Sequence, residues 1–299
     1  KNSQDLRDVY DPLLADIVTF SNRMGQSKPL YNAYLALRNG PEWDGYEEAR
    51  KRIIESGIRE AELNGVALDD DARNRYNEIS QRQAEITTKY SNNVLDDTKA
   101  FRLKLDSADD IEGLPNTLLE LGADEARRDG FEDATAETGP WVVTLEIPSF
   151  MPFMQHSKRR DLRMQMYRAY VTRASVGEYD NTKIIDETLA LRNEKARLLG
   201  FHTYADLSLS RKMAPDVKSV EDLLDELQQA ARPGAEHDLD DLRDLARKAG
   251  APEADDFKQW DSAYWSERLR EKRYDIRDEE LRPYFPLPGV LDGLFKLTE

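Results

Sequence analysis

Cysteine is absent from all 299 residues. No disulfide, thiolate nucleophile or Cys-ligated zinc is therefore possible. The absence agrees with a reducing compartment, so the expected location is cytoplasmic, with an organelle as the alternative. Histidine is nearly absent too, at three residues: His156, His202 and His237. A metallopeptidase of the His-Glu-x-x-His type places two imidazoles one helical turn apart, with a glutamate beside them to activate water. The residues after the three histidines are Ser-Lys-Arg-Arg, Thr-Tyr-Ala-Asp and Asp-Leu-Asp-Asp, and none fits. Long apolar runs are also missing: nothing approaches the roughly 20 residues of a membrane span. The opening stretch is polar, unlike a signal peptide. Gly-x-Ser-x-Gly, Ser-x-x-Lys, Gly-x-x-x-x-Gly-Lys and Gly-x-Gly-x-x-Gly do not occur, which removes the usual serine-hydrolase, nucleotide and dinucleotide signatures.

Basic residues are outnumbered, and the net charge is −16. A surface that acidic repels phosphate backbones and anionic lipid, so neither nucleic acid nor membrane is an expected partner. Charged residues reach 34% against 39% hydrophobic. The regular recurrence of Leu, Ile, Tyr and Trp still argues for a folded chain with a heavily solvated surface rather than disorder.

What is present is mostly helical period. Ala49, Ile53, Ile54, Ile58 and Ala61 predict a helix over 46–64, stopped by Gly65. Asp69, Asp70 and Asp71 begin a longer helix reaching about residue 95, with Tyr76, Ile79, Gln83, Ile86 and Tyr90 as its inner stripe. The three aspartates suit a helix N-terminus and lack the alternating ligands and glycine of a calcium loop. The residues 101–105 and 141–147 alternate with period two and are expected to pair as a small antiparallel ribbon, with a short helix over 116–129 between them. Pro148 and Pro152 are expected to end the second strand and force a loop.

From about residue 158 the chain reads as helical again, with Met164, Tyr167, Ala169 and Tyr170 in the first segment. The next helix, 182–199, is expected to bury Ile184, Ile185, Leu189, Leu191 and Leu198 and to stop at Gly200. Ser219 is the expected N-cap of the segment holding Leu223, Leu224 and Leu227. Pro233 and Gly234 are expected to break or kink that segment before Leu239, Leu242 and Leu245. A last helix, 254–272, presents Phe257, Trp260, Tyr264, Trp265 and Leu269. No repeat or low-complexity linker occurs. The expected division is an N-terminal helical region with the ribbon, 1–150, and a second helical region, 151–299.

Few residues point to chemistry. His202 and Asp206 have i,i+4 spacing, for which a local cap or surface pair is the first reading. Trp260, Tyr264 and Trp265 read first as core packing and second as the lining of a peptide cleft. The apolar stretch 148–154 reads as a buried crossover before a substrate loop. Carboxylates are too numerous for a catalytic pair to be chosen. No catalytic, cofactor-binding or metal-ligating residue is assigned.

Longer stretches carry a family resemblance. Thr144-Leu-Glu-Ile-Pro-Ser-Phe-Met-Pro152 and Arg163-Met-Gln-Met-Tyr-Arg-Ala-Tyr-Val-Thr-Arg-Ala-Ser175 resemble segments of the oligopeptidase A/thimet oligopeptidase family of zinc peptidases. So do Leu189-Ala-Leu-Arg-Asn-Glu-Lys-Ala-Arg-Leu-Leu-Gly-Phe201, Tyr204-Ala-Asp-Leu-Ser-Leu209 and Trp260-Asp-Ser-Ala-Tyr-Trp-Ser-Glu267. Leu281-Arg-Pro-Tyr-Phe-Pro286 and Val290-Leu-Asp-Gly-Leu-Phe295 close the collinear series. The resemblance implies a mainly α fold of the neurolysin-like zincin type, in which two lobes flank a channel admitting short unfolded peptides. It also implies that this chain is the N-terminal portion. Zinc, its ligands and the catalytic glutamate are then expected in the C-terminal half of the full-length parent, which would be the partner of this chain, together with short peptides. On that reading the chain alone is inactive and both its ends lie inside a longer polypeptide. A stand-alone helical domain that binds a peptide or partner without catalysis, and a helical scaffold with no peptide function, are the alternatives.

Overall fold

The computed structural model describes residues 3–276 and 278–299; Lys1 and Asn2 of the polar opening stretch lie outside the described residues. In chain order the elements begin with α1 (Gln4–Gly25), α2 (Lys28–Arg38), α3 (Glu48–Leu63) and α4 (Asp70–Ala100). Then come β1 (Leu103–Leu105), α5 (Asn116–Arg128), β2 (Trp141–Val143), α6 (Ile147–His156) and α7 (Arg160–Val171). The remainder is α8 (Thr182–Leu198), α9 (Tyr204–Leu209), α10 (Val217–Lys248), α11 (Gln259–Tyr274), α12 (Asp278–Leu281) and α13 (Leu287–Thr298). The protein is therefore mainly α with one two-stranded antiparallel sheet, as the periodicities predict. It forms two compact units, residues 1–94 with 177–226, and residues 95–176 with 227–299.

In the first unit, α4 and α8 supply the core. Ile79 and Ile86 pack against Ile184 and Leu191, with Leu198 at the margin. Asp69 caps α4 by accepting from the Ala72 amide, so the aspartate run serves the helix start. Tyr76 is buried and its hydroxyl donates to the Leu63 carbonyl at 3.1 Å, tying α4 to the end of α3. Leu63, Ala196 and Leu207 form a smaller cluster where α3, α8 and α9 meet. Gly200, at φ +82°, turns the chain out of α8; an L side chain resists that left-handed conformation. The predicted stripes are not covered throughout. Ile53, Tyr90, Ile185 and Leu189 are exposed, against expectation, because the facing elements of this unit reach only part of each helix face.

α9 is six residues long and depends on its cap. Thr203 Oγ1 accepts from the Asp206 amide, while the Asp206 carboxylate accepts from the Thr203 amide and hydroxyl. Thr203→Ala is expected to cost about 1 kcal/mol in urea denaturation. A change below a few tenths would show that Leu207 packing alone holds the turn.

In the second unit, Leu103, Lys104 and Leu105 of β1 pair with Val143, Val142 and Trp141 of β2. β2 is shorter than its sequence pattern. The segment expected to be a loop after it is instead the helix α6, with Pro148 in its first turn, where the missing amide has no helical partner to lose. Pro152 sits inside the helix and forfeits one i→i−4 bond. The burial of Phe150, Phe153 and Met154 on the inner face outweighs that loss. These three join Leu105, Leu118, Val143, Leu145 and Met166 in the largest core of the protein.

α10 likewise runs unbroken through Pro233 and Gly234. Its cap is not Ser219 but Asp216, which accepts from both the amide and the hydroxyl of Ser219. An acceptor one turn earlier moves the helix start back to residue 217. The segment 252–255 is a 3-10 turn, and α11 begins only at Gln259.

Candidate functional site

The second unit contains a cleft of about 1320 Å³. Its walls are the first turns of α5, the outer face of α6 and the middle of α11, with Leu281 and Phe285 along one margin. The sequence explains the construction. α6 is apolar on two sides: Phe150 and Phe153 enter the core, and Pro148 and Pro152 face the cleft. α5 contributes Pro115, Leu118 and Leu121, with Glu120 and Asp124 among them. The lining therefore mixes apolar and charged side chains, a composition suited to an extended ligand with apolar side chains.

Gly113 sets how close the walls come. It adopts φ +88°, and a Cβ there would stand 2.5 Å from the His156 carbonyl oxygen. The same approach lets the Lys158 amide donate to the Glu112 carbonyl and its ammonium pair with the Glu112 carboxylate at 2.6 Å. That contact and neighbouring negative charge hold the Lys158 pKa above its usual value.

At the far end of α6, His156 Nδ1 lies 3.1 Å from Arg268 Nη2. A guanidinium only donates, so Nδ1 accepts. The same guanidinium pairs with Glu271 and lies over the Tyr264 ring. Arg268 thus joins α6 to α11 at the cleft wall. An imidazole occupied in this way orients a side chain.

α7 and α11 share a buried ionic cluster. Asp261, with no solvent exposure, receives Arg163 Nη2 at 3.0 Å, Arg160 Nε at 3.0 Å and the Lys258 amide at 2.9 Å. Arg163 is 1% exposed and also donates to the carbonyls of Ser157 and Trp260. Its guanidinium lies over the Tyr264 ring at 4.4 Å, and Glu253 stands 3.5 Å away while accepting from the Trp265 indole. This cluster locks α7 to α11 and so fixes one wall of the cleft.

The residues singled out in the sequence separate. His156 is in the cleft; His202 and His237 are exposed elsewhere. Asp206 serves Thr203 rather than His202. Trp260, Tyr264 and Trp265 pack into core clusters, as their helical spacing predicts, and none lines the cleft. The stretch 148–154 does both jobs, core on one side and cleft on the other. Arg163, Asp261 and Arg268 escaped the sequence reading. Their signal was only an Arg at the inner face of α7 and an Asp as the third residue of a helix.

Among the described residues no group of three or more His, Asp or Glu side chains could hold a metal ion. The side chains present do not fit a zinc centre, and no step of peptide hydrolysis is assigned to them.

Comparison with known proteins places these features in a family. Residues 1–73 match the neurolysin/thimet oligopeptidase N-terminal domain, and residues 153–299 match peptidase family M3. All 299 residues align with the organellar oligopeptidase A, chloroplastic/mitochondrial, of Arabidopsis thaliana at 49% identity, covering 38% of that protein. The probable cytosolic oligopeptidase A of the same plant is 48% identical over the whole chain, with 42% of its length covered. Oligopeptidase A of Haemophilus influenzae is 41% identical, again over the whole chain, with 43% covered. The chain thus spans about two fifths of the length of the relatives it matches. With the N-terminal domain of the thimet type at its start and the peptidase match along its second half, in one collinear order, the chain belongs to peptidase family M3.

Proposed function

We propose that this chain is the N-terminal, non-catalytic portion of a zinc-dependent oligopeptidase that hydrolyses short peptides. Its helices supply channel wall and exclude folded substrates by size, and the zinc and its ligands belong to the remaining portion. The observation that carries this reading is the pairing of full-length alignment to oligopeptidases A with coverage of only 38–43% of each. The absence of His-Glu-x-x-His from the sequence supports it. The cleft between α5, α6 and α11, with its partly apolar lining, is the surface best suited to face an extended peptide. Relatives are named both for the cytosol and for chloroplasts and mitochondria; we place this protein in the cytoplasm, with an organelle as the alternative. No described helix is long and apolar enough to cross a membrane.

Uncovered apolar helix faces support a further covering portion. Leu6, Val9, Leu13, Ile17 and Phe20 form one exposed stripe on α1. Leu287, Val290, Leu294 and Phe295 do so on α13, and Leu223, Leu224 and Leu227 on α10. Faces of this kind associate unless something covers them.

Zinc calorimetry and a quenched fluorescent peptide test the proposal directly. The 299-residue chain is expected to take up no stoichiometric zinc and to cleave nothing above background. One-to-one zinc uptake with chelator-sensitive hydrolysis would overturn it. Light scattering is expected to show self-association of the isolated chain. A monodisperse monomer would favour the second reading, a stand-alone helical domain that binds peptide without cutting it.

A further inference from the structure

The sequence contains two Asn-Gly pairs, Asn39-Gly40 and Asn64-Gly65. Both asparagines end a helix. Asn39 closes α2 at φ −100°, ψ 2°, and Asn64 closes α3 at φ −88°, ψ 1°. Chemically the two are alike. A glycine after asparagine carries no Cβ to shield its amide, so that nitrogen can reach the side-chain carbonyl carbon one residue back. Closing that ring requires the peptide unit between the two residues to rotate. The fold allows the rotation at one site and opposes it at the other.

Asn64 is tied on every side. Its side-chain amide donates to the Glu60 carbonyl at 2.7 Å, and its own carbonyl accepts from Gln26 Nε2 at 2.9 Å. Gly25 packs so close that a Cβ there would stand 2.8 Å from Asn64 Cγ. The next amide, that of buried Gly65, donates to the Glu62 carbonyl at 2.9 Å. Asn39 has none of these ties. It is exposed, and among the described residues neither its side chain nor its carbonyl makes a hydrogen bond. The Gly40 amide makes none either, so the peptide unit 39–40 is anchored at neither its oxygen nor its nitrogen. Pro41 follows with no amide to offer, and the first tie beyond it is the Trp43 amide on the Gly40 carbonyl at 3.2 Å.

We propose that Asn39 is a site of spontaneous deamidation with Gly40 as the internal nucleophile, and that the fold protects Asn64 from the same reaction. The Gly40 amide gives its proton to solvent base, and the nitrogen lone pair attacks Asn39 Cγ. An N–C bond forms, the bond from Cγ to the side-chain nitrogen breaks, and ammonia leaves. Water then opens the cyclic imide at either carbonyl, giving aspartate or its iso-linked isomer. The balance is R–CONH2 + H2O → R–COO⁻ + NH4⁺, with solvent as the only co-reactant. The new carboxylate stands at the C-terminus of α2, where the helix dipole is already negative. Arg38, the nearest basic residue in sequence, is engaged with Glu55 and the Trp43 ring. Conversion therefore weakens the last turn of α2.

The test ages the intact chain in mildly alkaline buffer made with heavy-oxygen water and locates the labelled acids by peptide mass spectrometry. A parallel sample is aged in urea. In the folded chain, conversion at Asn39 is expected to exceed that at Asn64 by at least about tenfold, because Asn64 and Gly65 must first give up their hydrogen bonds. In urea the two rates are expected to converge, since the fold and not the flanking residues separates them. The iso-linked product at position 39 is expected as well, because only opening of the cyclic imide yields it. Equal conversion in the folded chain, a preference that persists unchanged in urea, or absence of the iso-linked product overturns the assignment. Both asparagines are compared within one unsubstituted protein, so no variant has to fold. The outcome is independent of the peptidase reading, because no substrate is hydrolysed.

Discussion

Asp261→Ala is expected to lower stability by about 3 kcal/mol, the low end of the range for removing one partner of a buried ion pair. The cost has two sources. Arg163, 1% exposed, keeps its charge and loses its nearest carboxylate, since a guanidinium cannot deprotonate to escape. The Lys258 amide at the start of α11 loses the acceptor that caps it. Two features limit the damage. Glu253 still stands 3.5 Å from Arg163, and Arg160, being partly exposed, can turn to water. Urea denaturation of the single variant and of Arg163→Met/Asp261→Leu separates the causes. The double variant should recover most of the loss, because replacing both charges leaves no buried ion to solvate. A single-variant loss under about 1 kcal/mol would mean that the pair is effectively solvated and does not lock α7 to α11.

Phe153→Ala is expected to be as severe, at about 3–5 kcal/mol. Phe153 is wholly buried in the cluster that includes Leu118, Val143 and Met166, and the ring leaves a cavity that a helix pinned at both ends cannot collapse into. One end of α6 follows β2 after only residues 144–146, and the other is held by the Ser157 amide on the Phe153 carbonyl and by Arg163 on the Ser157 carbonyl. Hydrogen exchange supplies the second readout. Amides of α6 should lose protection before those of α4, since α4 belongs to a different core. Uniform loss across both helices would indicate that the two units unfold as one and that α6 has no local weakness.

Both variants act on the cleft without touching its surface. Phe153 and Pro152 are neighbours on opposite faces of α6, one in the core and one in the wall. Arg163 and Asp261 fix α11, which presents Arg268 and Glu271. The ribbon β1–β2 and the short helix between its strands were legible in the sequence, because period-two alternation is a local signal. α6 was not. Two prolines within five residues argue for a loop on local grounds, and only the burial of Phe150, Phe153 and Met154 reverses that preference. α10 also runs through Pro233, although the residues around it are exposed, and Ile185 and Leu189 stay in solvent although their spacing is as helical as that of Ile184 and Leu191.

What the residues alone determined is chemical and local. Without cysteine, and with three scattered histidines, no thiolate or His-Glu-x-x-His chemistry can be written on this polypeptide, and the spacing of its apolar residues makes it helical. Which stripes become core, which prolines are tolerated, and which arginine meets Asp261 across 98 residues were decided by tertiary packing. Helix period is an intrinsic property of short sequence, whereas burial depends on the facing element, and a buried charge is tolerable only where a distant partner arrives to neutralise it.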